Sequence, residues 1–220
     1  MSFVIEEEVN QNSSLYEAFF NKYFSGWTEE FQNYKSEMKN VSNIIDRVEK
    51  RTNGYYPSKD TIFKCFENIP LDKVKVVIWT DQPYSIQRSY SNLRKELKNE
   101  YPENKIHIDH NIFELSNQGV LFMNTCMCYS DKDSKSYHNL WFRFTNIVIE
   151  ILNNRVENCI HLLWGKNSQK LSDTIKSREV YMANDPTSFM FFGNNHFIKT
   201  NITLDRQGKK QIDWFQTSVN

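Results

Sequence analysis

Apolar residues at Phe31, Tyr34, Met38, Val41, Ile45 and Val48 recur at alternating spacings of three and four, which gathers them on one stripe of a helix. Thr28 stands at the head of that stripe as an N-cap, with Glu29 and Glu30 in the first turn where negative charge suits the helix dipole. Asn53-Gly54 closes it. A shorter helix precedes it, capped by Ser13 or Ser14 and running through Leu15, Phe19, Phe20 and Phe24 to a break at Gly26. This amphipathic pair is expected to pack on its own domain. After Tyr56-Pro57 the pattern changes. Four short apolar runs, at residues 74–79, 120–124, 159–164 and 180–183, are of the kind that a parallel sheet buries on both faces. Helical patterns separate them at residues 90–100 and 140–152, and another, at residues 195–207, ends at Gly208. The alternation predicts an α/β fold, a central four-stranded parallel twisted sheet flanked by helices. Such sheets bind ligands at the loops leaving the carboxyl ends of their strands, so function is sought there.

Composition adds bounds rather than a function. A chain of 220 residues with 39% hydrophobic and 15% aromatic content can bury a core without disulfides or a metal. No apolar run approaches the roughly 20 residues of a membrane span, and the acidic start MSFVIEEEVNQ is not a secretory signal. Cys65, Cys126, Cys128 and Cys159 lie beside apolar positions, which reads as buried thiols in the cell interior, cytoplasm or nucleus or nucleoid. Residues 1–50 hold nine acids and five bases, leaving the remainder with 22 bases and 18 acids. Lys166, Lys170, Lys176 and Arg178 gather against Asp173; such a face can meet nucleic acid, but charge alone reads more plainly as ordinary solvated surface. His107, Asp109 and His110, and the pair Cys126 and Cys128, are sparse enough to be structural rather than metal ligands. No glycine-rich phosphate loop is present. No cofactor and no metal are implied.

The loops carry more. They read Thr80-Asp81-Gln82-Pro83-Tyr84-Ser85 after the first strand, Gly119-Val-Leu-Phe-Met-Asn124 along the second, and Leu162-Leu163-Trp164-Gly165-Lys166-Asn167-Ser168-Gln169-Lys170 through the third. The last reads Phe191-Phe192-Gly193-Asn194-Asn195-His196-Phe197, then Lys199-Thr200-Asn201, Gly208-Lys209-Lys210 and Ile212-Asp213-Trp214. In that order they resemble the signature of the family 1 uracil-DNA glycosylases: GQDPYH, GVLLLN, LLWG with a nearby QK, then HPSPLS leading into GFFG, HF, TN and GKKPIDW. Tyr56-Pro57 and residues 138–145 fit as well. The resemblance spans residues 55–214 and implies a division into an N-terminal helical segment packed on the core, residues 1–54, and a glycosylase-like α/β domain, residues 55–220.

That resemblance implies base flipping into a fitted pocket. It assigns Tyr84 to the gate against the thymine methyl and Asn124 to reading the uracil edge, although an asparagine there could also simply cap a strand end. Pro83, Ser85, Gly165, Lys166, Ser168, Lys170, Pro186, Ser188 and Phe189 fall on the loops with which the family meets DNA; Phe189 and Met190 lie near its duplex-wedging loop, although a buried aromatic cluster would account for them as well. Aligned on Pro83-Tyr84, however, the family's water-positioning aspartate is Gln82 and its neighbouring glutamine is Asp81. The HPSP histidine has no counterpart in Ala183-Asn184-Asp185-Pro186-Thr187-Ser188, where only Pro186 fits. The segment with the base-stacking phenylalanine is missing between Ser85 and the following helix, and Lys166 replaces a serine. A retained scaffold with altered chemistry implies a non-catalytic protein that binds DNA, weakly and without preference for uracil, or a protein partner that recognises the glycosylase fold. Two alternatives stay open: an active divergent glycosylase using Asp81 through a shifted loop, and a structural scaffold in a replication or viral assembly. No membrane partner is expected.

Overall fold

The computed structural model describes residues 13–52, 54–81, 86–104, 112–129 and 137–215. Its helices are α1 (Leu15–Phe20), α2 (Trp27–Phe31), α3 (Lys35–Thr52), α4 (Lys64–Glu67), α5 (Ile86–Glu100), α6 (Tyr137–Arg155), α7 (Lys166–Gln169) and α8 (His196–Arg206), and its strands are β1 (Val76–Thr80), β2 (Val120–Asn124), β3 (Ile160–Trp164) and β4 (Val180–Ala183). The four strands form one parallel sheet in the order β2-β1-β3-β4, the α/β architecture that the apolar runs predicted. Both central strands are buried along their whole length, as a sheet covered on two faces requires.

The N-terminal helices differ from expectation in their breaks. Ser14 caps α1 in a reciprocal box with Glu17, but the helix ends at Phe20 rather than continuing through Phe24. The chain turns at Gly26, whose φ of 76° is left-handed. There the Thr28 hydroxyl accepts a hydrogen bond from the Phe24 amide, so it closes the turn instead of capping a helix. A 3-10 turn at Gln32–Tyr34 then divides the long stripe into α2 and α3. The apolar positions nevertheless reach one side of the sheet: Phe19, Phe31, Met38, Val41 and Ile45 share a buried cluster with Trp79, Leu121, Trp141 and Phe144. Phe19 lies within ring-packing distance of Phe24, Phe31, Phe63 and Phe66. Phe19→Ala is therefore expected to cost about 3–5 kcal/mol, visible as a lowered midpoint in urea unfolding.

The other side of the sheet buries Ile78, Leu93, Trp164, Phe197 and Trp214. Two tryptophan indoles there and in the first cluster end on histidines: Trp79 donates to His161 Nδ1 at 3.1 Å, and Trp164 to His196 Nδ1 at 2.9 Å. Burial lowers the pKa of each histidine to about 4, with Lys199 adding to the effect at His196. On α5, Glu96 and Glu100 turn into the start of α8, where Glu96 accepts from Gly193 and Asn195 and Glu100 accepts from Ile198 at 2.7 Å. Burial pushes Glu100 up to about 7 despite that bond.

These shifts set a stability profile. The two histidines stabilise the fold above their unfolded value near 6.5 and lose that contribution as pH falls toward 4. Glu100 works in the opposite sense: its contribution is complete below 4.5 and is lost as pH rises to about 7. Thermal melting is expected to peak near pH 6.5 and fall steeply on the acid side. Glu100→Gln should remove the decline above that pH, raising the melting temperature at pH 8 but not at pH 4.5.

Candidate functional site

The carboxyl ends of β1, β2, β3 and β4 open into a cavity of about 1050 Å³, at the upper end of ordinary ligand pockets. Its lining includes Thr80 and Asp81 after β1, Asn124 at the end of β2, Lys166, Asn167 and Lys170 on the α7 side, and Asn184, Asp185, Pro186, Thr187 and Ser188 after β4. Tyr56, Tyr90 and Phe122 add aromatic surface. The parallel register sets Thr80 directly beside Asn124, and the Thr80 hydroxyl donates to Asn124 Oδ1 at 2.5 Å.

The two carboxylates of this cavity have different surroundings. Asp81 is held by α7: its oxygens accept from the Asn167 amide at 3.1 and 3.2 Å and from the Ser168 amide at 2.9 Å, with the Asn167 side chain at 3.4 Å. A Cβ on Gly165 would lie 2.4 Å from Asp81 Oδ1, and the backbone φ there is +133°, so only glycine lets the carboxylate reach these amides. This contact gives the glycine of the Trp164-Gly165 pair a physical reason. Asp185 stands at the mouth of β4. Its Oδ1 accepts from the Thr187 amide at 2.8 Å and the Thr187 hydroxyl at 2.6 Å, while among the described residues no hydrogen bond reaches Oδ2.

The other residues singled out in the sequence fall as follows. Gln82, Pro83, Tyr84 and Ser85 lie outside the described residues, as do His107, Asp109 and His110. Ser168 is fully buried and its hydroxyl donates to the Gly165 carbonyl, leaving it no face for a phosphate. Lys166 and Lys170 line the cavity wall, Lys170 donating to Asn167 Oδ1 at 2.9 Å. Ser188 caps the 3-10 turn Phe189–Phe191, which leaves Phe189 86% and Met190 74% exposed while Phe191 is buried as its anchor. Cys126 and Cys128 are buried in the core, where Cys126 donates to the Cys128 carbonyl and Trp141 donates to the Cys128 sulfur. Burial raises the Cys126 thiol to about 12 and pushes Cys128 up as well.

Thr80, Tyr90 and Asp185 were not singled out by sequence. An aspartate directly before Pro186, the one position of that loop that fits the family's motif, was the available signal for Asp185. Tyr90 carried none, because only the fold brings the α5 face to the cavity.

Curated relatives match along most of the chain. A uracil-DNA glycosylase of Buchnera aphidicola subsp. Cinara cedri is 31% identical over 89% of this chain and 97% of the relative. One of Haemophilus influenzae is 33% identical over 74% of this chain and 87% of its own. Among solved structures, mimivirus uracil-DNA glycosylase superposes with a TM-score of 0.75 at 20% identity, covering 93% of this chain and 90% of that one. A mimivirus UNG variant in complex with UGI does so at 0.75 and 19%, covering 93% and 92%. No family model matches the chain. The curated relatives are named as enzymes, which overturns the expectation of a non-catalytic binder. The cavity is not emptied by the altered motif residues: Asp81, Asp185, the Asn124 carboxamide and aromatic side chains line it.

Proposed function

Because the chain belongs to the uracil-DNA glycosylase family, we propose that it excises uracil from DNA, hydrolysing the bond between uracil N1 and deoxyribose C1′ in the cavity at the carboxyl ends of the strands. The observation that carries this reading is the Asn124 carboxamide, fixed by Thr80 on the lining of a cavity that also holds Asp185. A carboxamide offers an N–H donor beside a carbonyl acceptor, which matches uracil O4 beside N3–H. Tyr90 and Phe122 supply aromatic surface for the flipped base where the family's phenylalanine segment is missing.

In this reading Asp185 orients the attacking water through its open oxygen and offsets the positive charge that develops on the sugar. The water oxygen bonds to C1′, the C1′–N1 bond breaks with its electron pair going to uracil, and the water proton passes to the carboxylate. Lys166 and Lys170 set positive charge against the leaving uracil anion and the flanking phosphates. Asp81 acts indirectly, fixing α7 and the loop that carries these lysines. Phe189 and Met190, projecting beside the cavity, wedge into the base stack as the nucleotide leaves it.

Incubation with a uracil-containing single-stranded oligonucleotide, followed by product analysis, tests the proposal. Free uracil and an abasic strand with an intact backbone are expected, with the thymine strand unchanged. A strand cut without base release, or equal loss of thymine, would contradict it.

A further inference from the structure

The Thr80 hydroxyl enters the proposed reaction only as the group that holds Asn124 in place, and its consequence for the choice of base is a separate matter. Thr80 is 6% exposed and ends β1 in register with Asn124, so both side chains rise on the same face of the sheet. Its hydroxyl donates to Asn124 Oδ1, the oxygen rather than the nitrogen of the carboxamide. The pair therefore fixes the carboxamide with its oxygen toward Thr80. Turning the amide by 180° would bring its NH₂ against the hydroxyl and leave the buried hydroxyl proton without this acceptor.

The two amide orientations select different bases. Uracil presents an acceptor, O4, beside a donor, N3–H; cytosine presents a donor, N4–H₂, beside an acceptor, N3. An asparagine free to turn can match either edge. We propose that Thr80 is a positioning residue that sets base selectivity, holding Asn124 in the orientation that pairs with uracil and disfavouring the one that pairs with cytosine. This rests on the glycosylase reading for its reaction but not for its geometry. Leaving the buried hydroxyl proton without its acceptor costs enough to bias the two orientations by roughly ten- to a hundredfold.

Thr80→Val keeps the shape and removes the donor, and Thr80→Ser keeps the donor and removes a methyl. The uracil-to-cytosine ratio of kcat/KM on otherwise identical single strands should fall roughly tenfold or more in Thr80→Val and stay near wild type in Thr80→Ser. A merely structural role would lower both rates together and leave that ratio in place. In parallel, titration of each protein with free uracil and free cytosine reads the same preference without bond cleavage. If the wild type leaves uracil strands intact, the glycosylase reading fails on that result alone, and the ratio of the two dissociation constants still decides the role of Thr80. A ratio unchanged within about twofold between wild type and Thr80→Val, in excision or in base binding, would overturn the inference. Thr80→Ala provides the same comparison should the valine variant fold poorly.

Discussion

Asp185→Asn should lower uracil excision by roughly two to four orders of magnitude while shifting the melting temperature by no more than a few degrees. The asparagine retains an Oδ1 that can accept from the Thr187 amide and hydroxyl, so the loop after β4 keeps its shape. What disappears is the negative charge and the second carboxylate oxygen, the one left open among the described residues. Asp81→Asn should behave differently. Its carboxylate accepts backbone amides of α7 on both oxygens, and a carboxamide there sets an N–H donor against N–H donors. A destabilisation of about 1–3 kcal/mol should accompany whatever activity is lost. Single-turnover excision rates and melting curves on both variants separate the roles. Asp185→Asn with near-wild-type rates, beside an inactive but fully stable Asp81→Asn, would move the water-positioning role to Asp81.

Asn124→Ala should reduce uracil excision by roughly a hundred- to a thousandfold and erase any binding preference for uracil-containing strands. Both edge contacts are lost at once, and among the described residues that directly follow β2 no side chain offers a donor beside an acceptor. The loss should be nearly independent of salt, since no phosphate contact changes, whereas Lys166→Ala and Lys170→Ala should weaken binding to all strands alike and flatten its salt dependence. Competitive binding at two ionic strengths distinguishes the two patterns. A uracil preference that survives Asn124→Ala would place base recognition elsewhere in the cavity.

Much of the fold was legible because its signals are local. The apolar runs locate β2 and β4 at residues 120–124 and 180–183, and β1 and β3 within two residues of their ends. The breaks among the N-terminal helices were not, because Thr28 serves equally well as a helix cap or a turn acceptor, and only its contact with Phe24 decides. At the site, Asn124 was pointed to by the family resemblance, and the structure puts it on the cavity lining. The part played by Asp81 was not, since the amides that hold it belong to residues 167 and 168, more than eighty positions away. The reading as a non-catalytic protein failed for a related reason. It counted residue types at motif positions, whereas a reaction centre needs charge and hydrogen-bonding groups in one cavity, whichever loop carries them.

Single-turnover release of free uracil from a uracil-containing single strand, with wild type and Asp185→Asn side by side, tests the central claim most directly. Wild type should release uracil and leave an alkali-labile abasic strand, and the variant should be slower by at least a hundredfold. No release by the wild-type protein, or equal release by both, would contradict the account.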